Sequence, residues 1–157
     1  MTKSTVRPRA AELLKAALEE SSYTWLPEDP GFFADTEAGR IRAEVRADDA
    51  VLRAELVRLC EPSGESVGAL RDFLGALNRR LRLARASLSE VSAQLEALIP
   101  AGTLTAEMVD EAAGALIVGV RAARKECVAL LDPHTARQYL EFHNKSKEKN
   151  SHANNDD

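Results

Sequence analysis

From Val67 to Leu98, apolar residues return at alternating intervals of three and four: Val67, Leu70, Leu74, Leu77, Leu81, Ala84, Leu88, Val91, Leu95 and Leu98. This is the a/d seam of a coiled coil. As one helix it would be roughly 48 Å long at 1.5 Å rise per residue. A second stretch, Val109, Ala113, Leu116, Val120, Ala123, Cys127 and Leu130, keeps the same spacing. Pro100-Ala101-Gly102 breaks the chain between them, and Thr105 stands as an N-cap with Glu107, Asp110 and Glu111 behind it. Folded at Ala101-Gly102, the two stripes match layer by layer: Leu95 with Val109, Leu88 with Leu116, Leu81 with Ala123, Leu74 with Leu130. The expectation is an all-α fold. It holds an antiparallel hairpin of two long helices, about 66–98 and 105–131, within a three- to five-helix bundle.

The rest of the chain is read around that hairpin. A first helix starts near Pro8 and ends at Ser21 or Ser22. Residues 21–36 form a loop with Tyr23, Trp25, Phe32 and Phe33, interrupted by Pro27 and by Pro30-Gly31. A second helix is expected from about Glu37 to Glu61, with Ile41, Val45, Leu52, Leu56 and Leu59 on its core face. Asp48 interrupts that face and marks a bend or a polar contact. Asp132-Pro133 opens a last short helix. The segment KSKEKNSHANNDD contains no apolar residue but Ala153. The division is a single helical domain over 1–144 and a disordered tail over 145–157.

Composition narrows the functional classes. The net charge of -4 speaks against general nucleic-acid or anionic-membrane binding. No run reaches the length of a membrane span, and the N-terminus has no apolar secretory core. Cys60 and Cys127 have no metal-ligand spacing and read as reduced thiols, which places the protein in the cytoplasm. His134, His143 and His152 pair with nothing at metal-ligand distance in sequence. There is no glycine-rich phosphate loop, no G-x-S-x-G and no H-E-x-x-H. Asp48, His134 and His143 are the scattered residues an enzyme site would have to use, and they do not cluster in sequence. No catalysis, cofactor or metal is expected.

Leu104-Thr105-Ala106-Glu107-Met108 resembles the L-T-x-x-Q signature of small helical periplasmic stress and metal-sensing chaperones. Leu131-Asp132-Pro133-His134-Thr135 is similar. The closing Gln is absent from both, so no residue role is carried across. What remains is a non-enzymatic protein-protein interaction module: a subunit, adaptor or chaperone of a larger assembly. Its candidate partner-binding residues are Trp25, Phe32 and Phe33 of the aromatic loop. Arg71, Arg79 and Arg82 of an arginine belt that also holds Arg80 and Arg85 complete the set. The expected partner is another protein, with self-association through the Val67 end as a further expectation. The alternative is a nucleic-acid- or ligand-binding regulator that uses the belt.

Overall fold

Arg40, Arg42, Glu44 and Arg46 alternate with Ile41, Ala43 and Val45, and the alternation resumes from Ala50 to Leu56. A period of two puts one set on each face of a pleated strand. The computed structural model describes the backbone of residues 3–155 and the side chains of residues 9–145. In it those stretches are strands β3 (Gly39–Arg46) and β4 (Asp49–Arg58). The full order is α1 (Lys3–Glu20), β1 (Leu26–Glu28), β2 (Gly31–Thr36), β3, β4, α2 (Gly64–Asn78), β5 (Arg85–Leu88), β6 (Ser92–Pro100), α3 (Ala106–Ala129) and α4 (Pro133–Asn155).

The strands form one six-stranded sheet in the order β1-β2-β3-β4-β6-β5, and every neighbouring pair is antiparallel. One face is apolar and covered. Ile41, Leu52, Leu95 and Ile99 on it are at most 2% exposed. α3 lies across β4 and β6, with α1 beside it reaching β3, while α2 flanks β5 and α4 packs on α2. Leu14 of α1, Leu70 of α2 and Val109, Leu116 and Val120 of α3 complete the core. Burying each such side chain is worth about 1.5–3 kcal/mol. Gly31 opens β2, and a Cβ there would collide with the Ala43 carbonyl of β3, so that close approach needs glycine.

The all-α expectation is overturned: the fold is α+β. The helix expected over 66–98 exists only as α2, which starts at the Ser63 N-cap and ends at Asn78. The remainder is a turn and the β5–β6 hairpin. Ala93, Leu95, Ala97 and Ile99 face the core at every second position, while the seam residues Val91 and Leu98 are 65% and 58% exposed. Serines favour the break, because Ser87, Ser89 and Ser92 have short hydroxyl side chains of the kind that compete with helix for local backbone groups. Ser89 does so directly: its hydroxyl accepts from the N–H of Ser92 at 3.1 Å. The coiled-coil hairpin and its layer pairing therefore do not form.

The helix expected over Glu37–Glu61 is likewise replaced, by the β3–β4 hairpin. Asp48 sits in its two-residue turn beside Ala47, whose φ is 56°. The capping signals hold. The Thr105 hydroxyl accepts from the N–H of Met108, and Asp132 accepts from the N–H of Thr135 at 3.0 Å. Helix α4 runs on to Asn155, through most of the segment expected to be a disordered tail. Residues 156 and 157 lie outside the described residues.

Candidate protein-docking surface

The second face of the sheet is polar. Its residues follow from the register: Arg42 stands opposite Arg53, Arg53 opposite Glu96, and Glu96 opposite Arg85. Arg53 bridges Glu44 at 2.5 Å and Glu96 at 3.2 Å, and Arg46 reaches the same Glu96 at 3.4 Å. Arg40 pairs with Asp35 at 2.9 Å and lies 3.9 Å above the Phe33 ring. That contact holds the Asp35 carboxyl below the usual carboxylate range, through its hydrogen bond to Arg40.

A depression of about 600 Å³ opens on this face between β3, β4 and the β5–β6 turn. Its shape depends on a bulge in β4 between Glu55 and Val57. Arg124 of α3 secures the bulge: its guanidinium donates to the carbonyls of Glu55 (2.8 Å), Ala38 (2.9 Å) and Leu56 (3.3 Å). No pattern in the sequence distinguishes Arg124 from the other arginines, because its partners are backbone carbonyls some seventy to ninety residues away. A second recess, of about 380 Å³, lies beside the edge strand β5. Leu59, Pro62, Val67 and Leu88 line it, with Arg71 and Glu90 also in its wall. The two recesses share Ser89.

The β5 edge is partly closed. Asn78, the last residue of α2, presents its amide to Ala86, accepting from the N–H at 2.6 Å and donating to the C=O at 2.9 Å. The side chain thus occupies one register position of a missing strand. Ala86 turns both backbone groups outward, so Leu88, two residues on, does the same. Among the described residues no hydrogen bond is made by the outward N–H and C=O of Leu88.

The residues singled out in the sequence are scattered. Trp25 and Phe32 pack against the core along with Tyr23. The Trp25 indole N–H donates to Ser21 Oγ at 3.1 Å. Phe33 alone of the aromatic set takes the polar face. Arg71 lies in the β5 recess, Arg79 caps the C-terminus of α2, and Arg82 is exposed in the turn before β5. The straight belt is gone because its helix ends at Asn78.

Asp48 is exposed at the β3–β4 turn, while His134 and His143 lie on α4. The structure does not join the three in one site. His143 stands 3.8 Å from Asp72, which also accepts from the Tyr139 hydroxyl at 3.1 Å. Burial, together with that bond, pushes Tyr139 up to about 12. Burial also pushes the Cys127 thiol up to about 11, away from the thiolate form. Cys60 is exposed. Among the described residues, no group of three or more His, Cys, Asp or Glu side chains could hold a metal ion. No described helix is long and apolar enough to cross a membrane.

No protein-family model matches the chain, and no curated protein matches it. Among solved structures it is similar to a chain in the crystal structure of the ExsC-ExsE complex. The two are 20% identical with a TM-score of 0.45, over 78% of this chain and 93% of that one. At that level the likeness assigns neither a partner nor a residue role.

Proposed function

We propose that the protein is a non-enzymatic interaction module, a subunit, adaptor or chaperone, that receives an extended segment of another protein on the β5 edge. One observation carries the reading: the outward backbone groups of Leu88 open beside an apolar recess. A strand laid on that edge gains main-chain hydrogen bonds at Leu88 and can place an alternate side chain against Leu59, Pro62 and Val67. Asn78 limits the addition to the Leu88 end, because a longer strand would have to displace its amide from Ala86. That restriction also protects the edge from indiscriminate pairing.

The test is Leu88→Pro. Proline removes the outward N–H but no β5–β6 hydrogen bond, and an edge strand tolerates it. Peptides are selected from a random library on the unaltered protein, and their affinity is measured on both forms by calorimetry. The expected result is a loss of tenfold or more in Leu88→Pro, with slowed hydrogen exchange of the Leu88 amide on binding. Equal binding by both forms, without that protection, overturns the reading. So does a dimer of this chain whose own edges protect Leu88, since the occupant would then be a second copy.

A further inference from the structure

Sheets rarely set two arginines directly opposite each other, because like charges at that spacing repel. Arg42 and Arg53 are so placed, and Arg40 and Arg58 border the same depression. Arg124 is in its wall but spends its donors on the three carbonyls named above. Glu55 is the single carboxylate among the lining residues. We infer that this depression is a receiving site for the acidic side chains of a protein segment. The inference rests on the interaction reading above and names a second contact for the same kind of partner.

The arginines are not free. Arg40 has Asp35, Arg42 has Glu28 at 3.7 Å, Arg58 has Glu55 at 3.4 Å, and Arg53 has Glu44 and Glu96. The Arg40 and Arg58 pairs are exposed, and the Arg42 side chain is itself 62% accessible although the Glu28 Oε2 it faces is buried. Exposed pairs contribute little, so an incoming carboxylate can replace them at small cost. Arginine also suits the task, since its planar fork meets a carboxylate in two parallel bonds. The same carboxylates argue against nucleic acid. Glu28, Asp35 and Glu55 interrupt the positive surface and would repel a continuous run of phosphates, whereas separate acidic side chains can reach one guanidinium each. Ser89, common to both recesses, puts the acid-accepting site next to the open edge.

The test uses a fluorescent hexaglutamate peptide at low salt, read by anisotropy. The unaltered protein is expected to bind it, and rising salt to weaken that binding. Arg40→Ser/Arg42→Ser should bind at least tenfold more weakly with an unchanged melting profile. Arg42→Lys, which keeps the charge but loses the fork, should bind more weakly than the unaltered protein and more tightly than the double variant. Absence of hexaglutamate binding, or equal binding by the double variant, overturns the inference. Displacement by a single-stranded oligonucleotide at lower concentration than by unlabelled hexaglutamate also overturns it, in favour of nucleic acid. Leu88→Pro should leave hexaglutamate binding within twofold. Thus hexaglutamate can fail while library peptides still need Leu88, or the reverse, and the two readings fail separately.

Discussion

Residues 67–98 and 109–130 carry the same alternation of threes and fours, yet only the second is one continuous helix. The first is a helix for its opening turns and then a β-hairpin. The difference lies in the residues between the stripes. After Asp110, α3 has no Ser, Thr, Asn or Pro, and Ala112, Ala113, Ala115, Ala122, Ala123 and Ala129 favour helix throughout. The first stretch has Asn78, Ser87, Ser89 and Ser92, each able to satisfy local backbone outside a helix. The two segments end up packed together, but as helix on sheet. Leu95 of β6 lies so close to α3 that a Cβ on Gly119 would come within 2.6 Å of its Cδ1. The lesson is that a stripe states which residues seek the core, while the intervening residues decide the backbone that takes them there.

The largest test of that comparison is at the seam itself. In a helical hairpin Val91, Leu95 and Leu98 would be equivalent. In the observed fold Leu95→Ala should cost about 3 kcal/mol by denaturant unfolding. Val91→Ala and Leu98→Ala should each stay within about 0.5 kcal/mol. Similar losses at all three positions would restore the hairpin. Next in size is Asn78→Ala, which strips the N–H and C=O of Ala86 of their partners. A loss of about 1–2 kcal/mol is expected, with concentration-dependent association in sedimentation as the edge opens. Unchanged stability and mass would show that the amide does not close the edge.

Within α3, Gly114 faces open space while Gly119 meets Leu95. Gly114→Ala should therefore raise stability by about 0.8 kcal/mol, the ordinary helix-propensity gain. Gly119→Ala should lose that gain to the collision. Equal gains would show that helix and sheet are not in such close contact.

The smallest effect concerns Asp110, in the first turns of α3. Its carboxylate accepts from the Ser21 and Ser22 hydroxyls, each at 2.7 Å, and from the N–H of Ser22 at 3.0 Å. Burial works to raise its pKa, but these hydrogen bonds outweigh it and hold the group below the usual range. A lowered folded-state pKa means that the stabilisation is full above about pH 4, the unfolded value, and fades as pH falls through the folded one. Asp110→Ala should cost less than about 1 kcal/mol at neutral pH, because the site is half exposed. The gap should narrow on acidification below pH 4. A gap independent of pH would mean that the charged form contributes nothing.

More of the sheet was legible than the seam let through. Arg40 to Arg46 alternates strictly, and Ala93 to Ala97 does so with Gln94 and Glu96 between. Two things hid it. The leucine spacing fits a helix as well as it fits every second strand position over short runs. The covered face of the sheet also uses alanine, at Ala34, Ala43, Ala50, Ala54, Ala86, Ala93 and Ala97, and alanine reads as a helix former. Of the candidate surface, Arg71 was marked in the sequence, and it falls in the β5 recess. Arg42, Arg53, Arg58 and Leu88 were not, since strand pairing across the chain brings them to one side of the molecule.

By itself, the sequence determined what local chemistry can dictate. It placed the Thr105 and Asp132 helix starts, the helical course of α3, the break at Pro100, and the membership of most of the apolar core. Those depend on neighbours within a few residues, and capping and burial act at that range. Only the tertiary structure decided that Leu95 points from a strand rather than a helix and that Arg42 faces Arg53. It also decided that Asn78 stands in for a strand at Ala86 and that Arg124 holds a bulge some seventy residues away. A strand is stable only beside its partner, and its register sets which face each side chain takes, so no local pattern contains that choice.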